Sequence, residues 1–274
     1  FKRSDYKEII DEKLEKFSGM DAAIDEENDT IEDELNAEVS SMIIEMRKVK
    51  TESEIEKIRK ACEITDEAFD SLRNDLFSGL TEWEAVGKLK EFYIDREVQE
   101  AFITNEGESL VQRNSLKPHR GPESEIIKDD DLVIVDTGAR YENYCADVTR
   151  TYCENPSEEQ KKLFEDVKEV QDEMIDMIKD GRPIAEVKQK ELDMFEEKGY
   201  DVEKSVLYYS HSIGIVAHES PTITDESEED FREGMVVTIE PGLHIEGLGG
   251  VRIEDTVLVK EDGAERLSKA PRQL

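Results

Sequence analysis

The feature that most constrains the fold of this chain is a pattern of two helices and two strands that occurs twice. In the first copy, capping boxes at residues 51–54 and 81–84 predict helices that run to about Asn74 and Arg96. Gly79, which lies between them, is a helix-breaking residue. The first copy therefore begins with a pair of consecutive helices.

The second copy repeats this helix pair later in the chain. A capping box at residues 157–160 begins one predicted helix, and Pro183 begins another that runs to about Lys198. The segments 79–93 and 181–195 align without gaps and share a glycine, a glutamate and a lysine. These few identities suggest an internal repeat, and the strands that follow make it stronger.

Each helix pair is followed by a strand that ends in an acidic residue and by a return strand with a second one. The first strands end in "VDTG" (135–138) and "IEPG" (239–242), and the return strands contain "ADVT" and "RIEDT". A buried carboxylate is costly unless it is paired or bound to a metal. If the halves are related by a pseudo-twofold axis, four carboxylates meet between them: Asp136, Asp147, Glu240 and Glu254.

Four carboxylates that meet would repel one another unless cations lie between them, and oxygen-rich sites suit divalent ions. An imidazole would raise the affinity for a transition metal. The histidines all lie in or beside strand or loop segments of the two halves: His119, His211, His218 and His244. One such histidine is more often an ordinary core or surface residue, but their shared location favours a metal site.

The composition limits the partners and the compartment. The net charge of −34, from 36 basic and 70 acidic residues, argues against nucleic acid or an anionic membrane as a partner. It fits either a solvated acidic surface or an acidic face that binds another protein. No apolar run approaches the roughly 20 residues of a membrane helix. The cysteines have no metal-ligand spacing, so we expect a reducing, cytoplasmic environment.

From about Arg47 to Lys260 the chain resembles the pita-bread metallopeptidases: methionine aminopeptidase, aminopeptidase P and prolidase, with the metal-free creatinases as relatives. Five ordered motifs carry the resemblance: "PH" (118–119), "VDTGARYENYCADVTRT", "HSIGIVAHESP" (211–221), "TIEPG" (238–242) and "GGVRIEDTVLV" (249–259). Arg252 and the "HESP" that begins at His218 favour the aminopeptidase P and prolidase branch. The implied fold is α/β (α+β), a curved antiparallel sheet whose pseudo-twofold-related halves are covered by helices.

The resemblance also implies a two-metal centre, whose ligands would be Asp136, Asp147, His211, Glu240 and Glu254. Asp147 and Glu254 would bridge the ions, Asp136 would bind one ion, and His211 with Glu240 would bind the other. Because all five positions carry ligating residues, the metal-free relatives are disfavoured. Such a donor set accepts Mn, Co, Zn or Fe, and we expect Mn.

The implied chemistry is hydrolysis by a bridging hydroxide, since two divalent ions that share a water lower its pKa. Glu240 is the implied general base, which passes its proton to the leaving nitrogen. His218 would stabilise the oxyanion and His119 would hold the substrate backbone. Arg252 belongs to the same implied set of catalytic residues.

We predict a Xaa-Pro aminopeptidase, which hydrolyses Xaa-Pro bonds at peptide N-termini. The alternatives are a Xaa-Pro dipeptidase (prolidase) and a non-catalytic module that binds a peptide or protein. A dipeptidase must bind the free carboxylate beyond the proline, a task suited to arginine. Thr222 stands where prolidases often carry that arginine, and the surrounding "HESPTITDESEED" is acidic. Repulsion of the carboxylate therefore favours the aminopeptidase.

Other departures from the family pattern concern residues beside the predicted ligands. Ser210 and Ser212 flank His211 where glycines are usual, and His244 stands where a tyrosine is common. These departures bear on substrate choice more than on metal binding.

The resemblance also divides the chain. Residues 1–47 resemble the end of the smaller N-terminal domain of aminopeptidase P and prolidase, and residues 48–274 form the predicted catalytic domain. In those relatives the smaller domain helps to form a dimer, which leaves a homodimer open.

Overall fold

The computed structural model describes residues 41–73, 77–101, 110–114, 116, 121–205 and 209–274. The chain divides between Arg47 and Lys48 into two units, and the second unit contains all the described strands. Residues 1–40 lie outside the described part, so the assignment of residues 1–47 to a smaller N-terminal domain stays a prediction.

The described helices are α1 (Ser41–Lys48), α2 (Glu52–Arg73), α3 (Glu82–Asp95), α4 (Glu158–Met177), α5 (Ile184–Glu197) and α6 (Val202–Ser205). Capping boxes begin α3 at Thr81 and α4 at Ser157, and Pro183 directly precedes α5, as predicted. Among the described residues, no helix combines the length and the apolar character that crossing a membrane requires.

The strands are β1 (Gln99–Glu100), β2 (Leu110–Arg113), β3 (Val133–Thr137), β4 (Ala139–Tyr141), β5 (Tyr144–Cys145), β6 (Val148–Tyr152), β7 (His211–Ser212), β8 (Glu219–Thr222), β9 (Val236–Ile239), β10 (Gly242–Ile245), β11 (Gly249–Arg252), β12 (Asp255–Lys260) and β13 (Gly263–Arg266). The five-stranded sheet has the order β13-β12-β9-β7-β8, two three-stranded sheets have the orders β2-β3-β6 and β1-β4-β5, and β10 pairs with β11. All the strand pairs among the described residues are antiparallel.

The two halves repeat the same order of elements. In the first half α2 and α3 precede the antiparallel pair β3 and β6, with β4 and β5 between them; in the second half α4 and α5 precede β9 and β12, with β10 and β11 between them. An antiparallel bridge between Thr149 and Glu254 joins the halves, and the Glu254 amide donates to the Thr149 carbonyl oxygen over 3.1 Å. The predicted repeat is therefore present in the fold.

Each half buries an apolar core between its helices and its strands. In the first half, Phe69 of α2 and Leu89 of α3 belong to one buried cluster with Val135 of β3. In the second half, Phe195 of α5 belongs to another with Val237 of β9. Fully burying a side chain of this kind contributes about 1.5–3 kcal/mol. The strands that carry the acidic residues are therefore held in place by apolar packing.

Gly138, directly after β3, allows a close approach of two backbone segments. A Cβ atom at this position would lie 1.8 Å from the carbonyl oxygen of Ala146. The Ala146 amide also donates to Ala139 over 2.9 Å. This contact brings the backbone that precedes Asp147 against the end of the strand that carries Asp136.

Candidate metal centre

The first half contributes two buried carboxylates. Asp136 lies in β3 opposite Thr149 of β6, and Asp147 directly precedes β6. The Thr256 hydroxyl holds the backbone of Asp147, since it donates to the Asp147 carbonyl oxygen over 2.8 Å and accepts from the Asp147 amide over 3.3 Å. Asp147 is therefore fixed by a residue of the second half.

The second half contributes two more carboxylates and an imidazole. Glu240 directly follows β9, Glu254 lies between β11 and β12, and His211 begins β7. The side chain of Ser210 fixes the Glu240 backbone, because its Oγ accepts from the Glu240 amide over 3.0 Å. Like the two aspartates, these three residues are at most 7% exposed.

The donor atoms of these side chains converge in overlapping clusters: Asp147 with His211 and His218; His211 with Glu240 and Glu254; and Asp136 with Asp147 and Glu254. Within each cluster the donor atoms lie within 4.8 Å of one another. His211 Nε2 is 3.3 Å from Glu240 Oε1 and 3.8 Å from Asp147 Oδ2. The structure thus brings all five predicted ligands together in one connected donor set.

Hydrogen bonds orient these donors. Thr149 Oγ1 donates to Glu254 Oε2 over 2.6 Å, and Thr238 Oγ1 donates to Glu240 Oε1 over 3.3 Å. Arg252 Nη2 donates to Asp136 Oδ2. Sequence reasoning did not single out the two threonines, although both lie inside the quoted motifs. Each threonine lies two residues from a predicted ligand in the sequence, Thr149 from Asp147 and Thr238 from Glu240. This spacing indicates a role in the site only when the strand pairing is known.

The orientation of His211 suits a ligand. Its Nδ1 lies 3.0 Å from the carbonyl oxygen of Ser212. Because a carbonyl oxygen can only accept, this contact requires the proton on Nδ1. The Nε2 lone pair then faces the carboxylates, and an imidazole fixed in this way through its other nitrogen is typical of metal-binding histidines.

The carboxylates are electrostatically strained without a cation. Burial, reinforced by the charge of Glu254, raises the pKa of Asp147 and of Glu240 well above the usual range of carboxyl groups. Burial and the charge of Asp136 raise the pKa of Glu254 to about 7. The Arg252 guanidinium acts in the opposite direction on all three groups.

Three buried carboxylate oxygens of the donor set have no hydrogen-bond partner within the described part of the chain, namely Asp136 Oδ1, Asp147 Oδ1 and Glu254 Oε1. Such oxygens are costly to bury. Together with one imidazole they form a hard, oxygen-rich donor set that fits divalent transition metals. The residues present therefore fit the metal centre that the sequence predicts.

The other predicted histidines occupy different environments. His218 is exposed and its ring centroid lies 4.3 Å from that of His211, at the edge of the donor set. His244 is buried on β10 and belongs to none of the donor clusters among the described residues. His119 lies outside the described residues.

Comparisons with known proteins identify the family of the chain. The sequence profile of metallopeptidase family M24 matches residues 56–261. The Xaa-Pro dipeptidase of Pyrococcus furiosus is 37% identical over 86% of this chain and 67% of its own length.

Solved structures show the same fold. Prolidase from Pyrococcus furiosus superposes with a TM-score of 0.79 at 36% identity, over 85% of this chain and 68% of the other. X-Pro aminopeptidase from Thermotoga maritima superposes with a TM-score of 0.87 at 29% identity, over 98% of this chain and 78% of the other. The predicted pita-bread fold is confirmed. With a family profile that spans both halves and all five convergent side chains, the chain belongs to metallopeptidase family M24.

Proposed function

We propose that this chain is a metal-dependent Xaa-Pro dipeptidase that holds two divalent ions. The observation that carries the proposal is the convergence of four carboxylates and His211 in a family M24 chain. The names of the Pyrococcus furiosus relative and of the superposed prolidase supply the substrate class.

The overlap of the donor clusters supports the proposed ligand roles. Asp147, Glu254 and His211 each belong to two clusters. Of these, Asp147 and Glu254 have two carboxylate oxygens each, which suits ligands that bridge two ions. Asp136 shares a cluster with both of them, whereas Glu240 shares one with His211 and Glu254. When bound, divalent ions would lower the pKa of a water and polarise the scissile carbonyl.

Side chains of the protein transfer the proton, stabilise the oxyanion and orient a ligand. Glu240 takes a proton from the attacking water and delivers it to the leaving nitrogen, a role suited to a carboxyl group of raised pKa. His218, exposed beside His211, donates to the developing oxyanion. Arg252 is fully buried and orients Asp136. The assignment of His119 to the substrate backbone stays a prediction.

The relatives support a dipeptidase better than the aminopeptidase that the sequence favoured. The sequence argument counted every acid near Thr222 as a charge that repels the substrate carboxylate. In the structure, Glu219 lies 3.5 Å from Lys50 Nζ with a side chain only 3% exposed, and Glu229 lies 2.8 Å from Lys48 Nζ. These two charges are compensated from within the protein, so the repulsion is weaker than the sequence implied.

An aminopeptidase is the second candidate, because Thr222 cannot form an ion pair with a carboxylate and because the Thermotoga maritima X-Pro aminopeptidase superposes with a TM-score of 0.87. Thr222 lies opposite His211 in the β7–β8 register and is exposed, so this position borders the donor set. Arg252 is fully buried and already donates to Asp136, which makes it a poor replacement.

The test is metal analysis combined with kinetics. The purified protein is loaded with Mn²⁺ or Co²⁺, its metal content is measured, and kcat/KM is compared for a Xaa-Pro dipeptide and the matched tripeptide. The dipeptidase proposal predicts about two ions per chain and a clear preference for the dipeptide. Preference for the tripeptide would establish the aminopeptidase, and absence of both metal and turnover would favour the non-catalytic module.

A further inference from the structure

A buried lysine contacts residues adjacent to the two histidines of the site. Lys50 is 6% exposed, and its Nζ donates to Ser212 Oγ over 3.0 Å and to the Lys48 carbonyl oxygen over 3.4 Å. The same ammonium lies 3.5 Å from Glu219 Oε2. One cation therefore contacts the side chains of β7 and β8 at the same time.

Both side chains that the Lys50 ammonium contacts belong to residues next to a histidine in the sequence. Ser212 directly follows His211, and Glu219 directly follows His218. The ammonium of Lys50 thus ties together the residues that follow each histidine, whose rings lie 4.3 Å apart. Through Ser212 and Glu219, the ammonium can therefore influence both histidines by fixing the backbone that carries them.

Glu219 fixes the backbone of the loop between His211 and His218. Its Oε1 accepts from the amide of Ile215 over 2.8 Å and from that of Val216 over 3.3 Å. A Cβ atom at Gly214 would lie 2.7 Å from both carboxylate oxygens of Glu219. The glycine therefore leaves room for the carboxylate, which closes the turn between the two histidines.

The backbone of Lys50 is also fixed. Its amide donates to the Gly234 carbonyl oxygen over 2.9 Å, and the neighbouring Val49 forms an antiparallel bridge with Met235, directly before β9. Ser212 Oγ donates in turn to Val236 of that strand over 3.1 Å. Through Ser212, the Lys50 ammonium is therefore connected to β9, the strand that Glu240 directly follows.

We propose that Lys50 is a positioning residue, which through Ser212 and Glu219 holds His218 and His211 in their mutual orientation. Ser212 takes part here although glycine is usual at its position in the resembling family, so this contact is a property of this chain. The kinetic arm of the test rests on the proposed peptidase function, whereas the spectroscopic arm does not.

The test compares Lys50→Met with Lys48→Met. Lys48 is a matched control, because it is also buried and pairs with Glu229 at 2.8 Å but has no contact with Ser212 or Glu219 among those described. Histidine ring ¹³C–¹H spectra are recorded on the metal-free protein, whose four histidines give few signals. Variants of His211 and His218 assign them.

We expect Lys50→Met to shift the ring signals of His211 and His218 and to leave that of His244 in place, whereas Lys48→Met leaves all of them in place. With Mn²⁺ bound, Lys50→Met should lower kcat by about 10- to 100-fold, since small misplacements of catalytic groups have effects of this size. KM should stay within about twofold, because no contact to the substrate is removed.

Ser212→Ala keeps the charge pair and decides the question if Lys50→Met does not fold. It should shift the His211 signal in the same direction by a smaller amount. Unchanged His211 and His218 signals together with wild-type kcat, in whichever of the two variants folds, would overturn the proposal. If the wild-type protein hydrolyses no Xaa-Pro peptide, the proposed function fails, and the ring signals alone still decide the role of Lys50.

Discussion

Replacing Glu254 with glutamine should stabilise the metal-free protein and weaken its response to metal. Glu254 is 2% exposed, and its Oε1 has no hydrogen-bond partner among the residues that the structure describes. Glutamine keeps an oxygen that can accept from Thr149, which now donates to Oε2 over 2.6 Å. The substitution therefore removes the charge and preserves the shape and the hydrogen bond.

The magnitude follows from the carboxyl pKa, which burial and the charge of Asp136 raise from 4.5 to about 7. Because the folded protein binds this proton more tightly than the unfolded chain, the contribution of Glu254 favours folding at low pH and is lost as the pH rises through about 7. At pH 8 the ionised side chain costs about 3 kcal/mol, at about 1.4 kcal/mol for each pKa unit. In a domain of this size that corresponds to a Tm change of roughly 6–12 °C.

The assay is thermal and urea unfolding of wild type and Glu254→Gln, in a chelator and in excess Mn²⁺, at pH 5 and pH 8. In the chelator we expect the variant to be more stable at pH 8 and nearly equal to wild type at pH 5. In Mn²⁺ the wild type should gain about 3 kcal/mol at a hundredfold excess over Kd, and the variant should gain less. A variant that is less stable than wild type in the chelator at pH 8 would refute this reasoning, because it would mean that no charge repulsion was relieved.

Three further predictions test the ligands, the backbone and a distant carboxyl group. Asp147→Asn should lower the bound metal below two ions per chain in elemental analysis and should lower kcat; two ions with near-native kcat would show that its assignment as a bridging ligand is wrong. Gly138→Ala should unfold the protein or lower its Tm strongly in calorimetry, because the Cβ atom would lie 1.8 Å from Ala146, whereas Gly87→Ala, with open space around it, should not. Burial raises the pKa of Asp66 to about 6 although backbone amides hold its carboxylate, so its contribution to folding is lost as the pH rises through that value; Asp66→Asn should flatten the urea stability of the metal-saturated protein between about pH 4 and 6, and an unchanged slope would contradict the assignment.

The convergence of the four carboxylates could be predicted because it depends on short sequence patterns within each half. Asp136 and Glu240 end equivalent strands, and Asp147 and Glu254 begin the return strands, so antiparallel pairing within each half brings each pair together. The prediction needed only the strand period, the repeat and the cost of burying a carboxylate. The capping boxes at Thr81 and Ser157 were predictable for the same reason, since their hydrogen bonds span three residues.

The electrostatic surroundings of the substrate could not be predicted in this way. Counting acids between residues 218 and 230 treated Glu219 and Glu229 as unpaired charges. Their lysine partners, Lys50 and Lys48, lie far away in the chain, 181 residues in the case of Lys48 and Glu229. Such long-range pairs decide which acidic groups keep an uncompensated charge that a substrate would meet.

The sequence by itself determined which residues could bind metal and that they come from two similar halves, because donor chemistry and strand period are local properties. Only the tertiary structure decided how these donors are held. The Thr149–Glu254 bridge, the close approach at Gly138 and the contact of Lys50 with Ser212 each join segments whose pairing no local pattern specifies. The physical reason is that burial and hydrogen-bond partners depend on which distant surfaces meet, and these set both the carboxyl pKa values and the orientation of the histidines.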